Sequence, residues 1–145
     1  MRSRLTCFIS AFFALLITLS ALAGTLIIKA PPLGFVDLRS VMPDACFVIP
    51  YATSQNFTGA VLPGYSAPGA WARTQTAAAL VRAHQSAKRT DQRIAVLDAY
   101  RPIRASKAMT DWATRIGRPD LIGEYIASSG YSGHNKGNTV DVSLA

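Results

Sequence analysis

Hydrophobic positions change their spacing along the chain, and the changes divide it into segments. From Leu5 to Leu22 there is no charged residue and no period. From Thr25 to about Pro68 short apolar stretches, such as Cys46-Phe47-Val48-Ile49 ahead of Pro50, lie among Pro, Gly and aromatic residues, which predicts loops with short strands. Between Gly69 and Arg89 the spacing becomes helical. Ala77, Leu80, Val81, His84 and Ala87 recur at three- and four-residue steps, with Arg73, Arg82, Lys88 and Arg89 mostly on the other side. Asp91-Gln92 breaks that helix, and Ile94-Ala95-Val96-Leu97 is uniformly apolar, as a central strand is. Pro102 keeps Arg101 out of the α region, so the strand ends in an extended turn from which Arg101 projects.

Helical spacing resumes over Arg104 to Ile116, where Ala105, Ala108, Met109, Trp112 and Ile116 share a face, and Gly117 and Pro119 stop it. A third, shorter helix is predicted over Asp120 to Ala127, then a loop over Ser128 to Gly133. From Thr139 the pattern alternates. Asp141 and Ser143 fall on one face and Val140, Val142 and Leu144 on the other, so Asp141 is expected to face a site and its neighbours a core. This order of elements predicts an α+β arrangement rather than a regular βαβ series.

Composition sharpens the picture at the N-terminus. Arg2 and Arg4 precede the uncharged run, and Ala21-Leu22-Ala23 offers small residues where a signal peptidase reads, which predicts a signal peptide over 1–23 and a mature domain over 24–145. An uncleaved anchor is the alternative, since about 18 apolar residues approach the length that spans a bilayer. Half of the 145 residues are hydrophobic and 16% are charged, which excludes a disordered chain. Net charge is +7, or +5 without Arg2 and Arg4. The basic residues are scattered without interleaved aromatics or a nucleic-acid motif, so no nucleic-acid partner is expected, and attraction to anionic envelope surfaces is the blander reading. Cleavage removes Cys7 and leaves Cys46 alone, which rules out an internal disulfide in the mature chain.

The candidate chemistry lies near the C-terminus. In Ser132-Gly133-His134-Asn135-Lys136-Gly137-Asn138-Thr139-Val140-Asp141, a histidine and an aspartate seven residues apart bracket a Gly-Asn turn. They are either one nitrogen and one oxygen ligand of the kind zinc accepts, or an ordinary hydrogen-bonded pair. The other histidine, His84, falls on the apolar face of a helix, where packing is the better reading, and Glu124, the one glutamate, reads as a solvated surface carboxylate.

Four blocks, in order, carry a family resemblance: Tyr51-Ala52-Thr53-Ser54-Gln55-Asn56-Phe57-Thr58-Gly59, then Asp98-Ala99-Tyr100-Arg101-Pro102-Ile103-Arg104-Ala105, then Trp112, then the segment from Ser132 to Leu144. With them the chain resembles the D-alanyl-D-alanine dipeptidases, zinc enzymes related to DD-carboxypeptidases and the hedgehog signalling domain. The resemblance implies a small antiparallel sheet with flanking helices. It implies a Zn2+ cofactor held by two histidines and an aspartate, with His134 and Asp141 matching the first histidine and the aspartate. Arg101 matches the arginine that steadies the developing oxyanion, and Ser132 and Tyr51 match positions near the bound dipeptide.

That family places its glutamate base and third zinc ligand in a downstream Glu-x-x-His element, whereas the sequence here ends four residues after Asp141. The expectation is a domain incomplete at its C-terminus, with an open sheet edge and uncovered apolar surface. Two functions follow as expectations. One is zinc-dependent hydrolysis of the small-molecule substrate D-Ala-D-Ala in the periplasm or cell envelope, for turnover of wall-derived dipeptide. The other is a non-catalytic envelope protein that binds D-Ala-containing peptides. No stable membrane partner is expected after cleavage.

Overall fold

The computed structural model describes residues 31–65 and 69–145, and Pro31–Ala145 forms one compact unit. The leader expected over 1–23, Cys7 and the domain boundary expected at residue 24 lie outside the described residues.

The chain opens with β1 (Phe35–Asp37), which runs into the single turn α1 (Leu38–Val41). Asp37 caps that turn, its Oδ1 accepting the Arg39 N–H at 3.0 Å. Next come β2 (Cys46–Phe47) and a 3-10 turn at Pro50–Ala52. The segment beyond, an expected loop, is organised by Asn56. Its Nδ2 donates to the Thr53 and Ala60 carbonyls and its Oδ1 accepts from Thr58, so one side chain satisfies backbone that has no ladder of its own.

β3 (Trp71–Arg73) leads directly into α2 (Thr74–Lys88). The helical pattern therefore began five residues too early, because the last three of those residues pair with β1: Phe35 opposes Arg73 and Asp37 opposes Trp71 in an antiparallel ribbon. Ala77 and His84 are buried on the face expected, with Leu80 and Val81 packed beside them. Asp91, at φ +58°, turns the chain back.

β4 (Ile94–Asp98) is the central strand of a three-stranded sheet in the order β2-β4-β5. The antiparallel pairing expected of the sheet holds between β4 and β5 (Asp141–Leu144), whereas β2 joins β4 in parallel, Cys46 opposing Ala95. α3 (Ile103–Arg115) packs Ala105, Ser106, Met109 and Ala113 into the core. Ile116, expected on that face, is exposed, since the helix has ended and Arg118 N–H and Gly117 N–H close it on the Ala113 and Thr114 carbonyls. The helix expected over Asp120 to Ala127 is instead a 3-10 turn at Pro119–Leu121 followed by a tight loop in which Ile122 bridges Ile126.

A short helix absent from the expectation, α4 (Gly133–Lys136), carries His134. Ser132 caps it, its Oγ accepting the His134 N–H at 3.2 Å, and Gly137 ends it at φ +73°. A side chain at Gly137 would be strained by that φ and would meet the Phe35 ring at 2.4 Å. At Gly133 a Cβ would lie 2.1 Å from Thr139 Oγ1, so any larger residue there would force the Thr139 side chain to move.

One expectation along β5 fails. Val140 packs against the core, but Val142 and Leu144 are 45% and 58% exposed. β5 is an edge strand, and among the described residues no element covers this end of the sheet.

Candidate functional site

Buried apolar residues at Ile94, Ala95 and Val96 drive β4 into the core, and the strand delivers a charged residue, Asp98, at its end. A β-bulge then decides what Asp98 meets. Val96 opposes Val142, yet Asp98 rather than Leu97 opposes Asp141, so the extra residue turns the two carboxylates toward one another across the ladder.

Asp98 is 1% exposed, and its charge is matched. Oδ1 accepts from the Tyr65 hydroxyl at 2.6 Å and the Ala99 N–H at 2.9 Å. Oδ2 accepts from Arg101 Nε at 2.9 Å and Nη2 at 2.7 Å. The guanidinium is thus held by two donors on one oxygen, and it lies over the Tyr51 ring at 5.3 Å. Burial works against the Arg101 charge, and Asp98 more than offsets it, so the arginine pKa is raised. Burial also raises the Tyr65 hydroxyl, and the adjacent Asp98 charge adds to the effect.

His134 hangs from α4 between Asp98 and Asp141. Its Nδ1 lies 2.8 Å from the Ala99 carbonyl, which can only accept, so Nδ1 carries the proton and Nε2 of the neutral ring presents a lone pair. Nε2 lies 3.3 Å from Asp141 Oδ1. Burial pulls the imidazole pKa down, but Asp141 and the Ala99 carbonyl together outweigh it and hold it above the ordinary histidine value. When the ring takes up a second proton, Nε2–H donates to Asp141, and this hydrogen bond holds Asp141 below the usual carboxylate range. Arg101 Nη2 reaches to 3.8 Å of Asp141 Oδ2, and the backbones are tied as well, Arg101 N–H donating to the His134 carbonyl and Asn135 Nδ2 to the Arg101 carbonyl.

These groups open onto a cavity of about 250 Å³. Tyr51, Arg101, Ser132, His134 and Asp141, all singled out from the sequence, line it together. So do Phe57, Met109, Tyr125 and Ile126, which the sequence reading did not single out. Phe57 packs edge-on against Tyr51 and Trp112, giving the cavity an aromatic wall. The largest omission was Asp98; the available signal was a carboxylate closing an all-apolar strand three residues before Arg101.

Asp98, His134 and Asp141 each bring a potential ligand atom within 4.8 Å of the others. Their chemistry divides them. Both Asp98 oxygens are spent on four donors, and the residue lies on the Nδ1 side of the ring, so it orients rather than ligates. His134 Nε2 and Asp141 Oδ1 remain. Two ligands about 2.0–2.1 Å from a tetrahedral ion lie about 3.3–3.4 Å apart, and their 3.3 Å spacing fits one edge of that tetrahedron.

His84 is elsewhere and engaged: it is 3% exposed, Nε2 donates to Asp44 Oδ1 at 3.0 Å, and Nδ1 accepts the Ile94 N–H at 3.3 Å. Glu124 is exposed and outside the cavity lining.

Residues 32–145 match the family described as D-Ala-D-Ala dipeptidase. A D-alanyl-D-alanine dipeptidase of Enterococcus faecium is 28% identical over 126 residues, covering 77% of this chain and 61% of that protein. One of Streptomyces coelicolor is 33% identical over 108 residues, covering 65% of this chain and 52% of that protein. The chain therefore spans between half and two-thirds of the length of these relatives. With nearly all of its described residues inside the matched region, the chain belongs to the D-Ala-D-Ala dipeptidase family.

Proposed function

We propose that this domain acts on D-Ala-D-Ala as a zinc dipeptidase, in which His134 and Asp141 hold the ion and Arg101 steadies the scissile carbonyl. The observation that carries the reading is the His134 Nε2 to Asp141 Oδ1 edge, open to a cavity into which the fixed Arg101 guanidinium also faces. Zinc bound there would supply Lewis acidity and an acidified water for amide hydrolysis. Arg101 contributes a positive charge whose attraction grows as the carbonyl oxygen becomes anionic, and Asp98 keeps it from having to reorganise. Ser132 and Tyr51 border the space where the dipeptide termini would lie, and a cavity of about 250 Å³ suits a substrate of two alanines. The basic leader pattern and the Ala21-Leu22-Ala23 site favour export, and with it turnover of wall-derived dipeptide in the envelope.

A specific observation favours a second reading for residues 31–145 alone. Zinc hydrolysis of this kind calls for a carboxylate base and a third ligand, and neither His84, held by Asp44 and Ile94, nor the exposed Glu124 stands at the cavity. The alternative is a protein that binds D-Ala-containing peptides without cleaving them.

Purified protein assayed for zinc content and for release of D-Ala separates the two. Stoichiometric zinc with turnover supports the dipeptidase. Zinc-independent binding of D-Ala-D-Ala without turnover supports the binding protein, and neither zinc nor dipeptide binding overturns both.

A further inference from the structure

A second cavity, of about 330 Å³, shares no lining residue with the first and is built from different chemistry. Phe35, Trp71 and Tyr100 supply half-buried aromatic walls, with Phe35 and Tyr100 edge to face at 5.5 Å. Arg73 and Lys136 supply two positive charges at its rim, and no carboxylate residue is in the lining. Among the described residues neither cation forms a salt bridge. Asn135 has both its donor hydrogens committed: Nδ2 donates to the Arg101 carbonyl and to Ser106 Oγ, and Oδ1 accepts the Gly130 N–H.

Arg73 is also held in place. Its Nε donates to the Lys136 carbonyl at 3.1 Å and its guanidinium lies over the Phe35 ring at 4.8 Å, contacts that do not use the terminal nitrogens as donors. A pre-oriented guanidinium loses little freedom on binding, and its planar fork matches a carboxylate. The volume falls at the small end of ligand sites, roughly 300–1,000 Å³.

From this juxtaposition of three aromatic walls, a fixed arginine and a lysine with no counter-charge, we propose that the cavity is a second binding site, taking small carboxylates that carry a ring-sized apolar body. The ring lies among Phe35, Trp71 and Tyr100, and the carboxylate meets Arg73 and Lys136. The two cavities share backbone but not lining. Tyr100 faces one and Arg101 the other, and α4 turns His134 to one and Lys136 to the other. The site stands whether or not the first cavity hydrolyses a dipeptide.

The test is a titration of the protein with phenylacetate, phenylacetamide and phenyl phosphate, following the two indole N–H signals by NMR, assigned with Trp71→Phe. Phenylacetate is expected to move the Trp71 signal saturably, with a Kd on the order of 1 mM for so small a ligand. Trp112, which packs against Phe57 in the other cavity, should stay put and so separates the two sites. The amide should bind at least tenfold more weakly, as should phenylacetate to an Arg73→Gln, Lys136→Gln variant, whose changes fall on exposed positions. Equal affinity for the amide, unchanged affinity in the double variant, or movement of Trp112 alone overturns the proposal. Binding of phenyl phosphate as tight as that of phenylacetate overturns the assignment to carboxylates.

Discussion

Replacing Asp98 by Asn should be among the costliest near-isosteric changes in this molecule. The carboxylate accepts four hydrogen bonds, two on each oxygen, and its partner Arg101 is only 8% exposed. An amide has a single acceptor oxygen. If that oxygen faces Tyr65 and Ala99, the amide N–H groups point at the Arg101 donors and leave a buried cation without its counter-charge; the reverse orientation strands Tyr65 and Ala99. Removing one partner from a buried ion pair costs about 3–5 kcal/mol, because the remaining charge stays desolvated. For a domain of this size each kcal/mol moves Tm by roughly 3–6 °C, so the midpoint should fall by about 10–30 °C. Thermal and urea unfolding followed by circular dichroism read this directly. Asp98→Asn, Arg101→Leu removes both charges and should lie at least about 1 kcal/mol closer to wild type than the two single changes summed. A single-variant cost below about 1 kcal/mol, or strict additivity, would show that the pair does not organise the site as argued.

Three further outcomes follow from the geometry. Gly133→Ala places a methyl 2.1 Å from Thr139 Oγ1 and should cost about 1–3 kcal/mol, partly restored by Thr139→Ala, as measured by urea unfolding. Hydrogen bonds from Lys88 and His84 hold Asp44 below the ordinary carboxylate value. Its folded pKa is therefore depressed, and its contribution to stability should be present above the unfolded pKa of about 4 and fade as pH falls through the folded one. Asp44→Asn should flatten the unfolding profile on the acid side, and an unaltered profile would count against the link. His134→Ala should leave the purified protein without bound zinc by elemental analysis, whereas His84→Ala should not change the metal content; retention in the first variant would mean the ligand has been misassigned.

Much of the fold was legible because period and punctuation agreed. α2, β4 and α3 each carry an apolar face or run bounded by a residue that cannot continue it, Asp91, Pro102 and Gly117. Where the local pattern was silent, tertiary pairing decided. Nothing in Trp71-Ala72-Arg73 opposes a helix, and only the ribbon with Phe35–Asp37 draws it out as a strand. The loop at Ser128–Gly133 ends in α4 because Ser132 caps it and because Gly133 and Gly137 allow close approach to Thr139 and to Phe35, the second a partner that no local window of sequence contains.

The site shows the same division more sharply. His134, Asp141 and Arg101 were legible as residue types at spacings that fit one chemistry, but their meeting depends on two events that sequence does not announce. The first is the bulge at Leu97. Without it Asp141 would oppose Leu97, whose side chain alternates to the other face from Asp98, and the two carboxylates would lie on opposite sides of the sheet. The second is the assignment of His134 Nδ1 to the Ala99 carbonyl, which leaves Nε2 for the cavity. Both events are built from Asp98 and its neighbour, and the Asp98 carboxylate also fixes the guanidinium. A residue with no direct access to the cavity thus sets the positions of those that have it. Its signal in sequence was faint because a positioning carboxylate is recognised by its buried partners: Ala99 and Arg101 are close in sequence but show no pairing there, and Tyr65 comes from a separate part of the chain.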